Sequence, residues 1–135
     1  MLITGAVLAG MSASPGDAAP TPDNFEVRST SDLVAICSED QHDMTSAAAT
    51  GFCHGYVVGV FRTIERVQQA RPSMQIFCMP SSPPSRVSAI AAFVDWAKAR
   101  PDEMQKHSTE GIADFLAANY PCPADNAAAS RRSVR

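Results

Sequence analysis

The stretch GFCHGYVVGV, residues 51–60, decides how this chain reads. Its Cys53, Tyr56, Val57 and Val60 continue into Ile64 and Val67 at offsets 0, 3, 4, 7, 11 and 14, one apolar face at the α-helical period. Gly51, Gly55 and Gly59 stand four residues apart in the same pattern. A glycine inside a helix costs roughly 1 kcal/mol relative to alanine, so three of them require a compensating gain. They form a stripe beside the apolar face, where absent side chains let another backbone approach, and a close helix-packing seam is the expected gain. The seam partner is either another helix of the domain or the same helix of a second subunit. His54, Arg62, Glu65 and Arg66 exclude a membrane span.

Outward from this helix, three further helical signals appear and no strand alternation, so the fold class is all-α: a compact bundle of about four helices stapled by two disulfides. Upstream, the Ser/Thr/Asp cluster of STSDLVAIC caps a short first helix with Leu33, Ile36 and Cys37 at helical spacing. The polar SEDQHDMTS interrupts it, and Thr45 or Ser46 caps the long helix, which should run to about Ala70 before RPS ends it. Downstream of FCMPSSPP, Ser82 is the expected cap of a third helix, with Pro83 at the first position, where its missing N–H does no harm. Val87, Ile90, Ala91, Val94 and Ala97 form its expected core face, Phe93 and Trp96 flank that face, and Pro101 should stop it. The connector PDEMQKHS leads to Ser108, the expected cap of a last helix that buries Ile112, Phe115, Leu116 and Tyr120 before Pro121 and Pro123 close it.

At 135 residues the chain holds one domain, placed at residues 30–123. Residues 1–19 read as a signal peptide: LITGAVLAGM is an apolar run too short to span a bilayer, followed by a small-residue cleavage pattern at Gly16 and Ala18. No Lys or Arg precedes that run, so a start upstream of Met1 would be needed to supply a basic n-region. The alternative is a plain floppy N-terminus. Residues 20–29 read as a linker and 124–135 as a disordered tail carrying Arg131, Arg132 and Arg135. A net charge of −3 gives no basic footprint for nucleic acid or an anionic membrane.

Cys37, Cys53, Cys78 and Cys122 are even in number and show no C-x-x-C spacing, which favours disulfides in an oxidising compartment over zinc, haem or thioredoxin-like chemistry. Three connectivities are open; antiparallel packing of sequential helices favours Cys37 with Cys53 and Cys78 with Cys122. His54 beside Cys53 invites a cysteine-hydrolase reading, but adjacent helical positions point about 100° apart. His42, His54 and His107 show no helical ligand spacing for a metal, and Glu65 and Asp95 are single surface carboxylates. No catalytic, cofactor-binding or metal residue is assigned, and the chain reads as a non-enzyme.

Taken in order, Leu33 and Cys37, then Cys53, Gly55, Tyr56, Val57, Gly59 and Val60, then Cys78, Met79 and Pro80, then Pro101, then Tyr120, Pro121 and Cys122 form a pattern spanning residues 33–122. It resembles the Rap/Tai family of immunity proteins associated with type VI secretion. The resemblance implies an exported, disulfide-bonded helical protein of the periplasm, often a homodimer, without membrane insertion in its mature form. Characterised relatives bind and block secreted peptidoglycan amidase effectors, and occlusion of the effector's active site by a rigid body is the implied mechanism. Those motifs describe scaffold, so no effector-contacting residue transfers. Two irregular segments are candidate recognition surfaces: the turn MPSSPPS with Pro80, Ser81, Ser82 and Pro83, and the connector with Glu103, Lys106 and His107. Their plain alternative is simple helix connection. Competing functions are a periplasmic acid-stress or holdase-type chaperone and a non-catalytic structural homodimer.

Overall fold

A computed structural model describes residues 19–38 and 44–124, and five α-helices and one short 3-10 helix account for its regular structure. In chain order these are the 3-10 helix Pro22–Glu26, then α1 Thr30–Cys37, α2 Met44–Ala70, α3 Arg86–Lys98, α4 Pro101–Gln105 and α5 Ser108–Asn119. The expected signal peptide and tail lie outside the described residues except for Ala19 and Ala124, as does His42.

The first helix starts where its capping signal stands. Ser29 accepts from the Asp32 backbone N–H at 3.1 Å while the Asp32 carboxylate accepts from the Ser29 N–H at 3.0 Å, a reciprocal capping box. Burial pushes the Asp32 carboxyl up, but hydrogen bonds from the Asn24 amide and from Ser29 outweigh it and hold the group below the usual carboxylate range. The Asn24 bond, 2.9 Å long, also ties the 3-10 helix to α1. Residues 20–29 are therefore more than a bare linker: Phe25 stacks edge-on against Phe52 of α2, ring centres 5.3 Å apart.

Leu33, Val34 and Ile36 are fully buried, and α1 contacts every other helix. A short helix that is apolar nearly all round belongs at the centre of a bundle, and α1 sits there. Around it Phe93, Ile112, Phe115 and Leu116 complete the core. One disulfide joins Cys37 at the end of α1 to Cys53 of α2, and the other joins Cys78, in the chain between α2 and α3, to Cys122 just beyond α5.

Several details differ from the sequence expectation. The long helix α2 opens at Met44, so Thr45 and Ser46 lie inside its first turn and neither is its N-cap. The N-cap of α3 is Ser85 rather than Ser82, its hydroxyl accepting from the Ser88 N–H at 3.2 Å; Pro83 and Pro84 lie in extended chain before it. Phe93 is a core residue and Val87 is 67% exposed, so the inward face of α3 runs through Ile90, Phe93, Val94 and Ala97. Pro101 does more than stop α3: as a first-turn residue it opens α4, a helix inside the expected irregular connector. Last, His107 caps α5, Nδ1 accepting from the Thr109 N–H at 3.3 Å, while Ser108 is buried as the first helical residue.

Ser108 serves a different purpose. Its hydroxyl donates to the Val27 carbonyl and lies 2.6 Å from the Tyr56 hydroxyl, so one side chain joins the N-terminal segment, α2 and α5. Val27 sits in the left-handed region at φ 43°, costly for a β-branched residue, and these bonds help hold it there.

The glycine stripe bears on only one of the two seam partners left open by the sequence. A Cβ at Gly51, Gly55 or Gly59 would meet no described atom within 4 Å, so among the described residues no helix of the same chain fills the expected seam. The close approach within this chain is at Gly111 of α5, where a Cβ would lie 2.1 Å from the Thr30 Oγ1. Thr30 is fully buried, its N–H donating to the Lys106 carbonyl at 2.8 Å and its hydroxyl to the same oxygen at 3.2 Å. Glycine is required there by space, as α1 and the start of α5 touch backbone to side chain.

Candidate functional site

Between α2 and α3 the core stays open as a cleft of about 390 Å³. Its depth comes from the chain between those helices. Residues 71–85 form no helix, and three attachments fix their middle. The Gln68 side-chain oxygen accepts from the N–H groups of Ile76 and Phe77 at 2.8 and 2.9 Å, while its amide donates to the Phe77 carbonyl at 3.1 Å. Phe77 is buried against Phe61, ring centres 5.2 Å apart. Cys78 donates its N–H to the Tyr120 carbonyl at 2.8 Å and is bonded covalently to Cys122. A glutamine thus supplies hydrogen bonds that a neighbouring strand would otherwise give, in a chain segment with none beside it.

Held at 76–78, the segment leaves Met79, Pro83 and Pro84 as one wall of the cleft and Val57 and Phe61 of α2 as the other. The floor is Phe93, Ile112, Phe115 and Leu116. Phe115 makes edge-on contacts with Phe93, Trp96 and Tyr120 at 5.6, 5.7 and 6.0 Å, so this floor is an interlocked aromatic layer. At the rim Arg62 donates to Glu65 at 2.7 Å and lies 5.5 Å from the Phe61 ring centre. Arg86, exposed on the opposite side, has no hydrogen-bond or ion-pair partner among the described residues.

A second, shallower groove of about 590 Å³ runs between α2 and α5, lined by Gly55, Gly59, Val60, Ile64, Ile76 and Ala113. Of the glycine stripe, Gly55 and Gly59 lie on its α2 side. Ile76 of the extended segment lines it at 38% exposure, and Val67, a turn beyond Ile64 on α2, is 41% exposed, so apolar surface here stays open to solvent.

The two sequence-proposed recognition segments part company. Pro80, Ser81, Ser82 and Pro83 are all exposed, and Pro83 reaches the α2–α3 cleft. Glu103, Lys106 and His107 line neither groove. Lys106 Nζ bridges Asp114 at 2.6 Å and Glu103 at 2.9 Å, and the hydrogen bonds to Asp114 and Glu103 hold its ammonium above the ordinary lysine range. These residues knit α4 to α5 while His107 caps α5. Cys53 is bonded to Cys37, so no thiol stands beside His54. Among the described residues no three His, Cys, Asp or Glu side chains are grouped to hold a metal ion. No helix among them is long and apolar enough to cross a membrane.

Gln68, Arg86 and Gly111 escaped the sequence reading. Gln68 had a legible signal: it stands four residues beyond Ile64, on the apolar face, where a polar residue needs a reason. Arg86 and Gly111 had none, since their roles depend on which elements face them.

Five packed helices, two disulfides at their junctions and an apolar cleft beside an open helix face define a small, disulfide-stapled helical domain. Residues 29–122 match the model of the Rap1a immunity proteins, and the chain belongs to that family. Membership implies a partner effector protein, and such proteins are generally non-catalytic. No curated protein and no solved structure matches the chain.

Proposed function

We propose that this protein is an exported immunity protein of the periplasm that binds a peptidoglycan amidase delivered by type VI secretion and blocks its active site. The observation that carries this reading is the family match across residues 29–122, which includes all four disulfide-bonded cysteines. Disulfides persist in oxidising compartments, which supports export. A body fixed at both ends of its helices loses little entropy on docking, which suits inhibition by occlusion. The protein acts as a homodimer in this reading. The open stripe of Gly51, Gly55 and Gly59, untouched by the other described residues, supports a second subunit as the seam partner.

Affinity capture of exported proteins on the oxidised protein, followed by a peptidoglycan-hydrolysis assay, tests the reading. Stoichiometric capture of an amidase with loss of its activity is expected. Capture of nothing at neutral pH but of many clients after acidification would replace immunity by a chaperone role. Sedimentation at micromolar concentration should give twice the chain mass; a monomer there would remove the dimer.

A further inference from the structure

The charges of this chain are not evenly spread. Residues 44–100 carry Arg62, Arg66, Arg71, Arg86, Lys98 and Arg100 against only Glu65 and Asp95. The described residues on either side are mostly acidic, Asp102, Glu103, Glu110 and Asp114 among them, against Arg28 and Lys106. A chain of net charge −3 therefore holds a cationic middle, which supplies the α2 and α3 sides of the cleft and its rim residues Arg62 and Arg86, while α5 supplies part of its floor.

We propose that the effector docks at the cleft between α2 and α3, placing an apolar side chain on the aromatic floor while neighbouring carboxylates of its surface meet Arg86 and Arg62. This rests on the immunity reading above and adds the face and the chemistry of the partner. The cleft is at the lower end of ligand-pocket volumes, room for one or two apolar side chains and too little for a large cofactor. An apolar pocket with a rigid floor is where binding energy concentrates, since an anchor side chain there is fully desolvated without reorganising its host. The floor is rigid here because Phe115 is locked by three aromatic neighbours, and the wall is rigid because Gln68 and the Cys78–Cys122 bridge hold it. The rim sets the partner's sign. Arg86 is an exposed cation with no partner among the described residues; Arg62 on the facing helix pairs with Glu65, which also lines the cleft, yet its side chain stays 66% exposed, so cations outnumber the carboxylate at the rim two to one. Rim charges of this kind steer encounter and select an oppositely charged surface more than they add affinity.

The test uses the full chain and the amidase it captures. Arg86→Glu reverses the rim, and a carboxylate suits the first turn of α3, so the fold should survive. Ala89→Phe fills the cleft from α3, and Arg100→Glu reverses a charge that does not line it. With disulfides and melting midpoints matched, Arg86→Glu should slow association about tenfold and flatten its salt dependence. Ala89→Phe should speed dissociation by about tenfold or more, and Arg100→Glu should bind as wild type. A wild type that captures an amidase while Arg86→Glu and Ala89→Phe bind it equally well would overturn the docking face and leave immunity standing. A wild type that captures no amidase overturns immunity and this inference with it.

Discussion

The junction of α1 with α5 and the junction of α2 with α3 are built in opposite ways. At the first, Thr30 and Ser108 are completely buried, both hydroxyls are bonded, and Gly111 leaves the space that the Thr30 side chain fills. At the second, apolar side chains face a void, an extended segment substitutes for a helix, and one glutamine and one disulfide hold it. A small domain can leave one side unfilled only if the other is packed tightly enough to fold alone. Stability is concentrated around α1, and the surface available to a partner lies where α1 is not.

That contrast can be broken from either side. Removing the bridge of the open side should cost most: Cys78→Ser with Cys122→Ser releases a loop of 44 residues in the unfolded chain, worth about 4 kcal/mol, read as a fall in the denaturant midpoint. Gly111→Ala attacks the closed side. Its Cβ collides with Thr30 at an overpacking cost of about 1–3 kcal/mol, against a helix-propensity gain of about 1, and adding Thr30→Ala should recover part of the net loss. Gln68→Ala strips the hydrogen bonds from Ile76 and Phe77 and should cost about 1–2 kcal/mol while raising amide exchange at residues 76–78.

Gly55→Ala should instead stabilise the monomeric fold by about 0.5–1 kcal/mol, because the added methyl meets no atom of the other described residues. A loss of stability in dilute protein would mean that the open stripe is packed after all. The smallest effect is titration of Asp32. Its folded-state carboxyl is held below the usual range, so the stability it contributes is present above the unfolded value of about 4 and is lost as pH falls through the lower, folded one. In Asp32→Asn the acid limb of the stability curve should be shallower.

Legibility in the sequence followed the range of the interactions. The Ser29–Asp32 box, the long amphipathic α2 and the apolar side of α5 are local patterns, and these helices lie within a turn of where the patterns place them, α2 opening at Met44 and α5 capped by His107. The α3 cap was displaced because Ser82 and Ser85 are equally good caps in isolation, and the extended chain of Pro83 and Pro84 selects the later one. Val87 and Phe93 exchanged roles for a related reason: a helix's inward face is set by what surrounds it, and α5 presents Phe115 to Phe93. The cleft had no local signature, since its walls come from α2, the 79–84 segment, α3 and α5.

The sequence by itself determined an all-α domain, the ends of most of its helices and the family to which its cysteines and glycines belong, because caps, periodicity and spacing act over a few residues of chain. Which glycine is crowded and which lies open, and where apolar surface remains uncovered beside an unpaired arginine, were decided only by the tertiary structure. Those properties belong to pairs of elements meeting in space: Gly111 is indispensable because Thr30, distant in the chain, occupies the volume its side chain would need.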